Sequence, residues 1–205
     1  HHVEDIQYHS LVGLTYRMAS IFSFGLPLLL LFWSSLKKEE AIFKLLSIYW
    51  KVASLIAISI LLLTSGQSIG YITSFASPIL IIGSLWFWVD LNEELNEMPP
   101  WRALPLTVKI WRWSLSFLSM LYATVSFISL PCFKFNSGEN CNIWLIGPSN
   151  LHQSTKTILD FLFGGNWNEM LSGFLGYIGL IMYIIGIIQW LLIRLPKQGR
   201  IAGDF

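Results

Sequence analysis

The sequence predicts an all-α integral membrane protein, a bundle of five transmembrane helices with its N-terminus outside and its C-terminus in the cytoplasm. Two features of composition support this class. Charged residues make up 12 % of the chain, about half the ~25 % that is usual in soluble proteins. The mean hydropathy is +0.59. Residues 1–205 are therefore interpreted as one membrane domain, because so apolar a chain leaves too little polar surface for a dissolved globule.

Five apolar stretches carry the prediction of five spans. Each is about 20 residues long, the length that a helix needs to cross a hydrocarbon layer of about 30 Å. The predicted spans are Tyr16–Leu36, Leu45–Thr64, Ile69–Val89, Trp111–Leu130 and Leu171–Ile193. The first is followed by Lys37 and Lys38, so it is expected to be an uncleaved anchor.

The distribution of basic residues predicts the orientation. Ten of the thirteen Lys and Arg residues fall on one side of the five-span topology, and only Arg17, Lys134 and Lys156 fall on the other. Cytoplasmic ends of membrane helices carry the excess of positive charge. The basic side holds Lys37, Lys38, Lys44, Lys51, Arg102, Lys109, Arg112, Arg194, Lys197 and Arg200.

Proline and glycine positions predict local features of three spans. Gly25 and Pro27 should bend the first helix, and Pro78 should kink the third, because proline removes a backbone donor. Gly173, Gly176 and Gly179 lie three residues apart in the last span. No strand precedes them, so they indicate close helix packing and not a nucleotide-binding loop.

A loop of residues 131–170 is the one sizeable extramembrane segment, and it is predicted to lie outside. It holds Cys132 and Cys141. A disulfide between them would close a loop of about ten residues and contribute about 2–3 kcal/mol; a pair of free thiols is the alternative. Zinc is disfavoured, because only His152 is nearby and four ligands are normal.

Four acidic residues follow the third span at helical spacing, namely Asp90, Glu93, Glu94 and Glu97. On one helix face, carboxylates so close together repel unless basic groups or cations neutralise them. A salt-bridge network with Lys51, Arg102, Lys109 and Arg112 is the first interpretation. A divalent-cation site is the alternative, since such cations prefer oxygen ligands.

Tryptophan is concentrated at the predicted inner face, where Trp86, Trp88, Trp111 and Trp113 stand at the ends of the third and fourth spans. Indole rings favour the headgroup region, so an aromatic belt explains most of them. A docking surface for a protein partner or a pigment, formed with the neighbouring acidic residues, is the functional alternative.

Several function classes are disfavoured. The net charge of +1 provides no basic surface for nucleic acid. All four histidines, His1, His2, His9 and His152, lie outside the spans, which disfavours haem or chlorophyll held by helix histidines. His152, Ser154 and Asp160 have no motif context for a catalytic triad. No cofactor is therefore predicted with certainty; contact with chlorophyll, carotenoid or lipid remains open.

Three runs, Ile48–Leu55, Ser84–Glu94 and Leu192–Arg200, resemble an uncharacterised family of cyanobacterial polytopic membrane proteins, a domain of unknown function. The second run, with its Trp-Phe-Trp-Val-Asp-Leu-Asn-Glu-Glu string, is the most specific. The resemblance covers Leu11 to Arg200. It implies a thylakoid or plasma membrane of a photosynthetic bacterium, and it brings no assigned activity.

Taken together, these patterns favour a non-enzymatic accessory or assembly component of a photosynthetic or respiratory membrane complex. Its partners would be the lipid bilayer and a membrane-protein complex. A small transporter or channel is the first alternative, because Pro27 and Pro78 could unwind two helices at mid-membrane. A metal-dependent membrane enzyme that uses the acidic residues is the second.

Overall fold

The computed structural model describes residues 21–133, 152–153 and 155–202, together with the single positions 3, 7, 10 and 14. All regular elements in this part of the chain are helical. The α-helices are α1 (Leu26–Lys37), α2 (Glu40–Thr64), α3 (Ile69–Trp86), α4 (Val89–Glu97), α5 (Ala103–Ser129), α6 (Glu169–Gln189) and α7 (Leu195–Gln198). A π-helical turn Ile21–Gly25 precedes α1, a 3₁₀ turn Leu130–Phe133 follows α5, and a π-helical segment Trp190–Arg194 joins α6 to α7.

Three helices within the described residues are long and apolar enough to cross a membrane. They are α2, α3 and the continuous run Glu169–Gln198, with mean hydropathies of 2.0, 1.5 and 2.1. The first apolar helix, Ser23–Lys37, is shorter. Helix α5 has 27 residues, but Arg112 and several serines lower its hydropathy. The all-helical class is thus confirmed, with three candidate spans, while the count of five and the orientation stay predictions.

Helix α2 is the centre of the bundle, because it contacts α1, α3, α4 and α6. The main core surrounds its first half, where Leu45, Leu46 and Tyr49 are fully buried. Leu85 from α3 and Trp111 from α5 pack into the same cluster. Burial of this apolar cluster stabilises the packing of α2, α3 and α5, which are separate segments of the sequence.

Pro27 explains how the chain enters α1. Proline has no N–H, so the carbonyl four residues earlier, that of Ser23, receives no donor from the helix. The hydroxyl of Tyr49 in α2 donates to this carbonyl at 2.7 Å. The π-helical turn ends at Gly25 and regular α-helix begins at Leu26, while the bend of the first helix stays a prediction.

The third predicted span ends earlier than the sequence suggested. Helix α3 continues unbroken through Pro78 but stops at Trp86, and not at Val89. Trp88 is extended, with φ −85° and ψ 106°, and α4 then starts in a new direction. The acidic residues therefore belong to a separate short helix and not to the end of the third span.

The glycines of α6 make the close contact that their spacing predicted. A Cβ at Gly173 would lie 2.8 Å from the Cβ of Ser65, and one at Gly176 would lie 3.2 Å from the backbone nitrogen of Leu62. These distances leave no room for a side chain between α6 and α2. Gly186, further along the same helix, has open space around it. The prediction of close helix packing is confirmed.

Alanine substitution should separate these two kinds of glycine. Gly173→Ala should lower the free energy of unfolding by about 1–3 kcal/mol, because overpacking forces α6 away from α2. Gly186→Ala is the matched control; it should be neutral or stabilising by up to about 1 kcal/mol, the difference in helix propensity. Unfolding of the purified variants in detergent measures both, and equal effects of the two changes would contradict the close contact.

Candidate functional site

The end of α3 and the start of α4 form a sharp corner, which we define as residues 85–92 and call the α3–α4 corner. A helix that stops leaves its last carbonyl groups without intrahelical donors. In an apolar environment each such group needs a partner from elsewhere. The carbonyl groups at the corner therefore need hydrogen-bond donors, and side chains provide them.

Three consecutive carbonyls at this corner are each capped by a side chain from a different element. The bonds are Arg112 Nη2 to Leu85 O at 2.6 Å, Asn92 Nδ2 to Trp86 O at 2.8 Å, and Arg200 Nε to Phe87 O at 2.9 Å. The donors belong to α5, α4 and the segment after α7, respectively. The corner thus joins α5 and the segment after α7, which are distant from it in sequence, while Asn92 belongs to the corner itself.

Arg112 is the central donor of this arrangement. Its side chain is 6 % exposed, and the same Nη2 also donates to the Oδ1 of Asn92. The guanidinium lies over the ring of Trp86, 4.1 Å from the ring centroid. Burial of a cation is unfavourable unless it is hydrogen-bonded. These contacts offset part of that cost, while the Nε of Arg112 is buried without a hydrogen-bond partner among the described residues. Arg112 therefore fixes both the corner and the indole of Trp86.

Trp86 and Trp113 form a supported aromatic pair. Their ring centroids are 4.9 Å apart. The Nε1 of Trp86 donates to the hydroxyl of Ser116 at 2.7 Å, and that hydroxyl donates to the carbonyl of Arg112 at 2.7 Å. Trp113 is 62 % exposed. Ser116 and Arg112 thus hold the ring of Trp86, whereas the ring of Trp113 is exposed.

The predicted four-tryptophan surface is wrong for two of its members. Trp88 and Trp111 are 5 % and 1 % exposed and belong to the main core. Trp111 packs edge-on against Tyr49 with centroids 5.0 Å apart. For Trp111 and Trp113 the physical reason is the spacing, because residues two apart on a helix point to opposite sides. Trp88 is extended and follows the end of α3, so it shares no helix face with Trp86. Only Trp86 and Trp113 remain available to a partner.

The four acidic residues on α4 differ in their surroundings, and the predicted salt-bridge network stays a prediction. Asp90 is half-buried and accepts a hydrogen bond from the backbone N–H of Ala202 at 2.9 Å. Glu93, Glu94 and Glu97 are exposed. Among the described residues, no three His, Cys, Asp or Glu side chains are grouped as metal ligands. Arg112, one of the predicted basic partners, donates to the neutral amide of Asn92 and not to these carboxylates.

A second polar contact lies in the predicted outer loop. The indole N–H of Trp167 donates to the Nδ1 of His152 at 3.1 Å. A catalytic triad needs that Nδ1 to donate to a carboxylate, so this arrangement does not support catalysis with Asp160. Ser154, Cys141 and the side chain of Cys132 lie outside the described residues, and with them the predicted disulfide.

Comparison with known proteins identifies the family. A family model described as a protein of unknown function, DUF3177, matches residues 9–203. The chain belongs to the DUF3177 family. Neither a curated protein nor a solved structure matches it. The predicted resemblance to a membrane-protein family of unknown function is confirmed in its extent, while the cyanobacterial origin stays a prediction.

The three runs that carried the resemblance of this DUF3177 chain meet in the structure. Tyr49 from the first run packs in the main core with Trp88 and Leu91 from the second. Arg200 from the third caps the carbonyl of Phe87 in the second. The α3–α4 corner and its cap from Arg200 therefore lie in these runs, whereas Arg112 and Trp113 on α5 lie outside them.

Removal of the central donor should destabilise the corner. Arg112→Ala leaves the carbonyl of Leu85 without its donor in an apolar site, so the free energy of unfolding should fall by about 2–3 kcal/mol. Lys109→Ala is the matched control, because this residue is an exposed cation on the same helix; it should change stability by less than about 0.5 kcal/mol. Unfolding in mixed micelles measures both, and similar losses in the two variants would refute the capping role.

Proposed function

We propose that this DUF3177 chain is a non-enzymatic accessory or assembly component of a photosynthetic or respiratory membrane complex. It would cross a cyanobacterial thylakoid or plasma membrane five times, with its N-terminus outside and its C-terminus in the cytoplasm. The observation that carries the proposal is the Trp86–Trp113 pair, which the buried Arg112 anchors and which presents Trp113 outward.

The size of α5 and the position of its charges support the fourth span. A helix of 27 residues extends about 40 Å at ~1.5 Å per residue, more than the ~30 Å of a hydrocarbon layer. Arg112 lowers its hydropathy, but that guanidinium is buried against the α3–α4 corner. The charge therefore does not face lipid, and hydropathy alone understates how apolar the outer surface of α5 is.

A supported aromatic pair has the properties of an interface anchor. Tryptophan is enriched at positions that dominate binding energy. A ring that is already fixed loses little conformational entropy on binding, which favours affinity. Because the rings of Trp86 and Trp113 are held at 4.9 Å, this face suits a membrane-protein partner. Chlorophyll or carotenoid would use the same apolar surface, and lipid covers it when no partner is bound.

Two features count against the alternative functions. A transporter was expected to use unwound backbone at Pro27 and Pro78. Helix α3 is helical on both sides of Pro78, and a π-helical turn leads directly into the α-helix that contains Pro27. A metal-dependent enzyme was expected to use the acidic residues of α4, and these are not grouped as ligands in the described part of the chain. The accessory role is therefore preferred to both.

The proposed topology predicts which side of the membrane each connection occupies. In a background without Cys132 and Cys141, Asn166→Cys should react with a membrane-impermeant maleimide on intact cells, because residues 131–170 would lie outside. Glu97→Cys, exposed on α4, should react only after the membrane is permeabilised. Labelling of both cysteines, or of Glu97→Cys alone, in intact cells would refute the orientation.

The proposed docking face predicts the loss of a partner on a single substitution. Trp113→Ala should reduce co-purification of the membrane complex from mildly solubilised source membranes at least several-fold, since an anchor tryptophan contributes about 2 kcal/mol or more. Phe174→Ala is the control, because Phe174 is equally exposed, at 61 %, but lies on α6. Equal recovery with both variants, as judged by native separation and mass spectrometry, would overturn this role for Trp113.

A further inference from the structure

The segment that follows α7 folds back onto the α3–α4 corner. We define residues Gly199–Ala202 as the C-terminal strap. Gly199 has φ +61°, a conformation that glycine adopts at no steric cost, and its N–H closes α7 by donating to the carbonyl of Leu195 at 2.9 Å. The left-handed turn at Gly199 redirects the chain from the helix toward the corner.

The strap contacts the corner through three hydrogen bonds and one ring contact. The N–H of Val89 donates to the carbonyl of Arg200 at 2.9 Å. The Nε of Arg200 donates to the carbonyl of Phe87, and the N–H of Ala202 donates to Asp90 Oδ1, each at 2.9 Å. The guanidinium of Arg200 also lies over the Phe87 ring, 5.2 Å from its centroid. Two of these bonds satisfy backbone groups at the break between α3 and α4, namely the N–H of Val89 and the carbonyl of Phe87. The third satisfies the N–H of Ala202 in the strap.

The strap is attached by less apolar burial than the helices are. Ala202 is fully buried in the main core, but Ile201 is 54 % exposed and Arg200 is also exposed. Segments with few buried apolar contacts and solvent-accessible hydrogen bonds open locally, without unfolding of the remainder. Helices α2, α3 and α6, in contrast, are joined along their length. The strap is therefore the part of this region that can detach alone.

An aromatic cluster lies directly beside the strap. The ring of Phe87 packs edge-on against Trp88, with centroids 5.1 Å apart, and against Trp190, with centroids 5.8 Å apart. Arg200 lies over the Phe87 ring, and Ala202 shares the core cluster that contains Trp88. Detachment of the strap would uncover Phe87 and remove one wall from Trp88.

We propose that the C-terminal strap is a latch. In the closed state it caps the carbonyl of Phe87 and covers the aromatic cluster; in the open state the amide of Val89 loses its acceptor and the Phe87 ring is accessible. The latch changes state while the helical bundle stays packed. This inference does not depend on the accessory role, because opening is a property of the isolated chain.

Hydrogen–deuterium exchange of the purified full chain in detergent tests the latch. Arg200→Ala should increase exchange at the amide of Val89 roughly tenfold, the effect expected from the loss of one charge-assisted hydrogen bond, while amides in α2 keep their wild-type protection. Lys197→Ala is the matched control, because Lys197 is an exposed cation three residues after the π-helical segment and makes none of the strap contacts described above. It should leave Val89 unchanged.

A second variant opens the strap by another route. Ala202→Asp places a carboxylate at a buried position next to Asp90, so it should accelerate exchange at Val89 and increase oxidative labelling of Trp88, with Trp111 as the internal reference. Accelerated exchange confined to the corner in both variants supports the latch. Unchanged exchange at Val89 in both, or equal acceleration at Val89 and throughout α2, overturns it.

Discussion

Backbone carbonyl groups that lose their helical donors are the constraint on which this bundle depends. Neither a lipid-facing surface nor a densely packed apolar interior offers water to replace the missing N–H. The chain interrupts its helices at Pro27 and at Phe87–Trp88, and each interruption is matched by a donor from elsewhere: Tyr49 for Ser23, and Arg112, Asn92 and Arg200 for the α3–α4 corner. Without these donors, both interruptions would leave polar groups unpaired in the apolar bundle. These four polar side chains are thus placed where the regular α-helix is interrupted.

The same principle explains how α6 is attached to the bundle. Its glycines bring its backbone close to α2, and two hydroxyl groups use that proximity: Ser172 donates to the carbonyl of Leu61 and Tyr183 to that of Val52, each at 3.0 Å. Leu61 lies in the last turn of α2, where carbonyl groups lack helical donors, so Ser172 caps a helix end. Val52 lies inside α2, so Tyr183 strengthens the joint without a break in the helix. The opposite face of α6 is left apolar and exposed, as lipid contact requires. Helix α6 therefore packs against α2 through the face that carries its glycines.

The sequence predicted the features that depend on local pattern, and it missed those that depend on distant partners. Hydropathy located α2 and α3, and the spacing of Gly173 and Gly176 predicted close packing of α6 without indicating that α2 is its partner. The end of α3 at Trp86 was not predicted. The residues near Trp86 do not indicate that Arg112 and Arg200, which are distant in sequence, cap the carbonyl groups at this break. The two-residue spacing of Trp111 and Trp113 did contain a usable signal, since neighbours at that spacing cannot share a helix face.

The candidate docking pair and the strap are joined through one short stretch of backbone. Arg112 caps Leu85 and supports the ring of Trp86, while Arg200 caps Phe87 two residues later. Leu85 and Phe87 flank Trp86, so loss of either cap would act on the backbone beside Trp86, whose ring packs against Trp113. A partner that binds Trp113 more tightly in one strap state must, by linkage, shift the strap toward that state by the same free energy. Binding at the Trp86–Trp113 pair would thus be coupled, through the α3–α4 corner, to the state of the C-terminal strap.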